Sequence, residues 1–219
     1  MSTSVQEGEG QRSRGLYGLL SRPAIYEFLQ RMVTGPKGRQ FQKNFVDHHV
    51  APRRGSRILD IGCGPGTFLK NIPETLDCQY CGFDMNPAYI EAAKIQYGQR
   101  GRFFCQRVSE ASLHGAGTFD IVLAVAILHH LSDEEAKTLI QLAHDVLEPG
   151  GYLVTVDCAF VPGQSRIARF VISRDRGRFV RSPEGYESLA HSAFAKVEST
   201  VYHNMLRLPY THFIMKCFK

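Results

Sequence analysis

The sequence predicts an α/β protein: a doubly wound, mostly parallel seven-stranded sheet with a closing antiparallel strand pair and N-terminal helices. Three observations carry this expectation. Short β-branched runs alternate with helical patterns from Arg57 to Asp157, the rhythm of strand–helix–strand units that build a parallel sheet. A glycine-rich turn, Gly62-Cys63-Gly64-Pro65-Gly66, follows the first of those runs. Two more strand-like runs near the end of the chain flank Leu208-Pro209-Tyr210, with no helical pattern between them.

Residues 1–12 read as a disordered tail. Met1–Gly10 is polar and acidic and lacks an apolar core, so no secretory signal is expected there. Residues 13–50 read mainly as helices. Ile25, Phe28, Leu29 and Met32 recur at i, i+3, i+4, i+7 spacing, Gly35-Pro36-Lys37-Gly38 breaks the pattern, and Phe41, Phe45 and Val46 begin another stripe. Arg57 to Ile61 is the first strand, and Thr67 to Ile72 reads as helical. Gln79 to Asp84 is the second strand. Asn86 as N-cap and Pro87 at the first helical position then open a helix through Tyr97. Arg102 to Gln106 is the third strand. Phe119 to Val125 is the fourth, apolar on both faces as a central parallel strand is. Ser132-Asp133-Glu134-Glu135 is a capping box for a helix to Leu147. Glu148-Pro149-Gly150-Gly151 stops that helix, and Tyr152 to Val156 is the fifth strand. An arginine-rich insert, a helix from Ser182-Pro183 to about His191, and strands over Lys196–Tyr202 and Thr211–Phe218 complete the chain.

At 219 residues the chain fits one domain, large enough to bury about 70% of its unfolded surface. Hydrophobic residues at 43% and charged residues at 21% describe an ordinary soluble globular protein. No apolar run approaches the roughly 20 residues that span a bilayer. Of six cysteines only Cys78 and Cys81 form a CxxC pair. No second pair completes a zinc site, so no metal is expected, and the thiols read as buried strand residues in a reducing cytoplasm. The net charge of +5 is unevenly spread. Arg166, Arg169, Arg174, Arg176, Arg178 and Arg181 face a single acid, Asp175, in one stretch, and Arg53, Arg54 and Arg57 form a second basic run. Such clusters suit phosphate or carboxylate partners, or form a solvated basic face.

The glycine turn narrows the chemistry. Glycines at alternate positions between a strand and a helix let the backbone turn sharply and approach a ligand closely. A dinucleotide fingerprint needs GxGxxG, but Thr67 follows Gly66, so this loop is GxGxG. Asp60, just before it, would repel a pyrophosphate and suits a ligand bearing cationic groups.

Here a resemblance becomes specific. The segment ILDIGCGPGTFL resembles motif I of class I S-adenosylmethionine-dependent methyltransferases. YCGFDMNPAYIEAAK is similar to that family's second-strand segment, and the block from Phe119 to Asp157 is similar to its fourth-to-fifth-strand region. The resemblance implies S-adenosyl-L-methionine as cofactor. It places Asp60 near the methionine end, Gly62, Cys63, Gly64 and Gly66 in close backbone approach, Asp84 on the ribose hydroxyls and Met85 against the adenine. Ala124 and Val125 would border the sulfonium. The family often carries an acid after the third strand. This chain has Gln106-Arg107-Val108 there, so backbone near Val108 or Ser109, or Glu110, takes that place.

The implied organisation is a single domain over 13–219: a helical lid at 13–50, a cofactor-binding core at 57–157, an insert and helix of the acceptor side at 158–193, and final strands at 194–219. His129, His130 and Asp157 are the candidate catalytic groups, since a base is needed if the acceptor must lose a proton early. His203 and His212 are weaker candidates. Tyr17, Arg178 and Tyr186 are candidate substrate contacts, with Tyr26, Phe160, Arg166 and Tyr210 as further wall residues. The expected reaction is methylation of an oxygen or nitrogen of a small-molecule acceptor, anionic or sugar- or lipid-linked. Nucleic-acid methylation and a non-catalytic cofactor-binding subunit are the competing readings. Against the first, Ala126-Ile127-Leu128-His129 replaces the Asp/Asn-Pro-Pro-aromatic run of enzymes acting on base amino groups, and no recognition module is appended.

Overall fold

A computed structural model describes residues 34–36, 38–203 and 205–219. The expected tail and first helix, with Tyr17 and Tyr26, lie outside the described residues. The sheet has seven strands in the order β3-β2-β1-β4-β5-β7-β6: β1 Arg57–Ile61, β2 Gln79–Asp84, β3 Gly101–Cys105, β4 Phe119–Val125, β5 Leu147–Cys158, β6 Lys196–His203 and β7 Thr211–Phe218. β1 to β5 are mutually parallel, whereas β7 runs antiparallel to both β5 and β6. The doubly wound sheet and its closing antiparallel pair are as the sequence predicts.

The central strands are apolar throughout because both faces are covered. Leu59, Val122 and Ala124 point to a core completed by helices α3 (Asp133–Val146) and α5 (Pro183–Ala190), through Ile140, Tyr186 and Leu189. Their neighbours Ile58, Ile121 and Leu123 point the other way, onto α1 (Pro87–Tyr97) and a helical segment ending in the π-helical turn Phe45–Val50. The remaining helices are α2 (Glu110–Leu113) and α4 (Arg166–Ser173).

The caps read from sequence hold their helices. Asn86 Oδ1 accepts from the Ala88 and Tyr89 amides, and Ser132 with Glu135 forms a reciprocal capping box. Two expectations need correction. Thr67–Ile72 is not a helix; only a 3-10 turn, Leu69–Asn71, forms. Ile72 precedes Pro73 and is extended (φ −86°, ψ 121°), as a pre-proline residue prefers, so little chain is left after the glycine loop. Glu148–Gly151 does not separate helix from strand. β5 begins at Leu147, paired with Phe119, and the register slips before Tyr152 meets Ile121, with Gly150 at φ 84°.

Strand order reverses between β1 and β4, which opens a crevice beyond their carboxyl ends. The candidate residues converge there.

Candidate active site

Gly62 and Cys63 donate their amides to the Phe83 carbonyl (2.7 and 3.0 Å), tying the glycine loop to the end of β2. Gly62 has φ 76°, and a Cβ there would lie 2.1 Å from Ile127 Cδ1, so the turn needs glycine. Gly64 also has positive φ, but a Cβ would meet open space, the side from which a ligand can approach the backbone. Gly66 instead backs onto Tyr97, Phe103 and Ala93, a packing role.

Asp84 ends β2. Its Oδ2 accepts the Gly64 amide at 3.0 Å and its Oδ1 the Asn86 amide at 2.8 Å. Burial raises its pKa, and those backbone bonds oppose the rise. Met85 is half exposed beside it and Val108 is half-buried. Asp60 is 2% exposed and accepts a short hydrogen bond from the Tyr80 hydroxyl. Burial lifts its pKa to about 7 against that bond. The Cys63 thiol is buried and pushed far up, so it is no nucleophile.

A cavity of about 530 Å³ runs from Asp60 and the glycine loop to the residues after β4 and β5; Asp84, Met85 and Val108 do not border it. Asp60, Gly62 and Gly64 border one end. His129, Asp157, Asp175, Arg176 and Tyr210 border the other. Val125 reaches the cavity. Ala124 does not: the strand pleat turns it into the opposite core, which corrects its expected place beside the sulfonium.

His129 is 4% exposed and held on both ring nitrogens. Nδ1 lies 2.7 Å from Asp157 Oδ1, and Nε2 lies 3.2 Å from Asp175 Oδ1. Ionised carboxylates only accept, so the ring carries a proton on each nitrogen. Burial pulls its pKa down, but the hydrogen bonds to Asp157 and Asp175 outweigh this and set it at about 9. Burial pushes the Asp157 carboxyl up against the His129 bonds. Burial also acts to raise Asp175, but bonds from His129, the Gly177 amide and the Tyr210 hydroxyl hold it below the carboxylate range. The two carboxylates favour the doubly protonated ring, so the pair holds His129 in place at the cavity wall and opposes its taking a proton. His130 is not on the cavity; its buried Nδ1 has no partner among the described residues, and burial takes its pKa to about 3.

The arginine stretch divides. Arg181 folds back onto the chain after β4, donating to the Leu128, Leu131 and Phe179 carbonyls and to Asp133. Arg176 borders the cavity and hydrogen-bonds Tyr89. Arg178 is exposed and does not border the cavity. Tyr186 is not a substrate contact: it is 1% exposed, stacks on Phe213 and donates to the Cys158 carbonyl at 3.0 Å. Of the weaker candidates, His212 borders the cavity, and His203 meets the Thr211 hydroxyl instead. Sequence reasoning missed Asp175. Its one signal was being the lone acid among six arginines.

A parallel α/β sheet closed by an antiparallel pair, with a GxGxG loop clamped by an acid at the end of β2, defines the class. The family model described as a methyltransferase domain matches residues 58–151, and the sheet is that of the Rossmann-like methyltransferase fold. The O-methyltransferase cnsE of Penicillium expansum is 33% identical over 116 residues, 51% of this chain and 41% of that protein. The ubiquinone biosynthesis O-methyltransferase of Xanthomonas axonopodis pv. citri is 30% identical over 112 residues, 50% of this chain and 45% of that protein. The chain thus spans about half the length of these relatives. Among solved structures, N-methyltransferase NodS from Bradyrhizobium japonicum WM9 superposes with a TM-score of 0.63 at 19% identity, covering 84% of this chain and 97% of that one. The likeness shows the fold. The residues present fit the cofactor: Gly64 leaves room for it, and the Asp84 carboxylate, with about four acceptor sites, has one left beyond its bonds to the Gly64, Met85 and Asn86 amides.

Proposed function

We propose that this protein methylates an oxygen of a small anionic acceptor, drawing the methyl group from S-adenosyl-L-methionine. The continuous cavity from the glycine loop to the His129–Asp175 network carries the reading, since it brings a cofactor end and an acceptor end together. Bound cofactor supplies a methyl group already activated by a sulfonium. The protein's own work is then to align the acceptor and exclude water. Asp84 holds the ribose hydroxyls and Asp60 attracts the cationic methionine end. The Asp157–His129–Asp175–Tyr210 chain forms a rigid acceptor floor, and Arg176 favours the ionised form of the acceptor. An acceptor that enters as an anion needs no base, which agrees with a ring that is already protonated. The relatives named as O-methyltransferases support oxygen over nitrogen.

The test is turnover of the whole chain with labelled cofactor and a panel of hydroxybenzoates, phenols, sugars and nucleic acids. Label is expected on an acidic hydroxyl or carboxylate oxygen. Label on nucleic acid alone would overturn the small-molecule reading, and release of no product with any acceptor would favour a cofactor-binding subunit.

A further inference from the structure

α4 has the wrong exposure for a helix that only packs. Ala168 and Ile172 are buried and Val171 borders the cavity, so one side of the helix is a wall of the acceptor end. Ile167 and Phe170 point outward, 62% and 59% exposed among the described residues. Two cations lie on this side: the Arg174 guanidinium sits 4.9 Å from the Phe170 ring centroid, and that of Arg169 sits 5.0 Å from the centroid of Phe160. α4 itself carries no acid, and the neighbouring Asp175 is turned inward onto His129 and Tyr210. A shallow cavity of about 360 Å³ lies along this face, lined by Phe160, Arg166, Arg169, Phe170 and Ser173. Leu208, 48% exposed, borders the main cavity.

From this arrangement we infer that the outward face of α4 docks on a negatively charged lipid surface, Ile167 and Phe170 entering the boundary of the acyl chains. Protruding aliphatic and aromatic side chains surrounded by guanidinium groups are the composition of an interfacial helix, whose apolar side is stabilised in the acyl boundary and whose cations meet anionic headgroups. The shallow cavity suits a lipid phosphate, with two arginines and aromatic walls. Nucleic acid fits less well, because Ile167 would gain nothing against a phosphate backbone. Since α4 also walls the acceptor end, docking would hold that cavity next to the lipid.

Vesicle sedimentation of the whole chain tests this without reading turnover. Phosphatidylcholine vesicles containing phosphatidylserine should bind it, and pure phosphatidylcholine should bind it more weakly by roughly fivefold per engaged arginine. Salt should release it. Ile167→Ser with Phe170→Ser should weaken binding to the acidic vesicles by about tenfold or more. Arg166→Gln with Arg169→Gln should weaken it on acidic vesicles and leave neutral ones unaffected. Both variants alter exposed positions, so S-adenosylhomocysteine affinity should not change, which also reports a correctly folded chain. The inference is overturned if the chain does not bind acidic vesicles, or if both folded variants bind them as the parent does. It is equally overturned if the face instead mediates RNA retention or self-association that the same variants abolish.

Discussion

Replacing Asp84 by alanine tests the cofactor end directly. The carboxylate has about four acceptor sites. Two serve the Gly64 amide at 3.0 Å and the Asn86 amide at 2.8 Å and a third is engaged by the Met85 amide, which leaves about one for the ribose. A hydrogen bond to a charged group contributes about 1.5–3 kcal/mol. Losing it removes that much cofactor binding, so the dissociation constant should rise roughly 10- to 10²-fold. Release of the Gly64 amide loosens the loop and adds to the loss. Asp84→Asn should be nearly as damaging, because its amide nitrogen would face one of the backbone donors. Burial already raises the Asp84 pKa, so the ionised group is no asset to the fold, and the melting temperature should move by only about 3 °C. Isothermal titration with S-adenosylhomocysteine, beside a thermal melt, measures both quantities. A folded Asp84→Ala protein whose dissociation constant rises less than about threefold would remove Asp84 from the site and refute the reasoning.

Two other outcomes are expected. Burial pushes the Asp60 carboxyl up to about 7, against 3.8 for the free group, so the fold favours its neutral form. Its contribution to stability is full below the lower value and is lost as pH rises through the higher. The cofactor-free protein should therefore lose stability across that window, while affinity for the cationic cofactor rises. Asp60→Asn should flatten both profiles, and unchanged profiles would show that the carboxyl does not titrate there. Arg181→Lys should destabilise the protein by about 2–4 kcal/mol in denaturant melts, because a lysine cannot reproduce the planar fork that serves the Leu128, Leu131 and Phe179 carbonyls. The Asp133 partner is exposed and adds little. A loss below about 0.5 kcal/mol would show that water replaces the fork.

What the sequence revealed and what it hid follow from the range of the interactions. The strands and caps are local signals. Val122 and Leu123 are both apolar because each meets a different helical layer, and Asn86-Pro87 and Ser132–Glu135 set their helix starts within four residues. The place of Asp84 was legible because a strand end facing the glycine loop is itself the signal, and its carboxylate does accept the Gly64 amide. The acceptor end was not. His129 and Asp175 are 46 positions apart and meet only because the chain after α4 folds back, with the Phe179 amide donating to the His129 carbonyl. Nothing local marks Arg181 as a clamp among the neighbouring arginines. Tyr186 stands on an amphipathic helix whose buried face could not be told from a wall of the cavity. Ala124 and Val125 were placed together where the pleat separates them.

The central claim is that the cavity beside the glycine loop binds S-adenosylmethionine. Isothermal titration of the whole chain against S-adenosylhomocysteine and against NADH tests it most directly. The account predicts one site for S-adenosylhomocysteine at about −7 to −9 kcal/mol, in the micromolar range, and no heat from NADH. Binding of NADH with none of S-adenosylhomocysteine would contradict it.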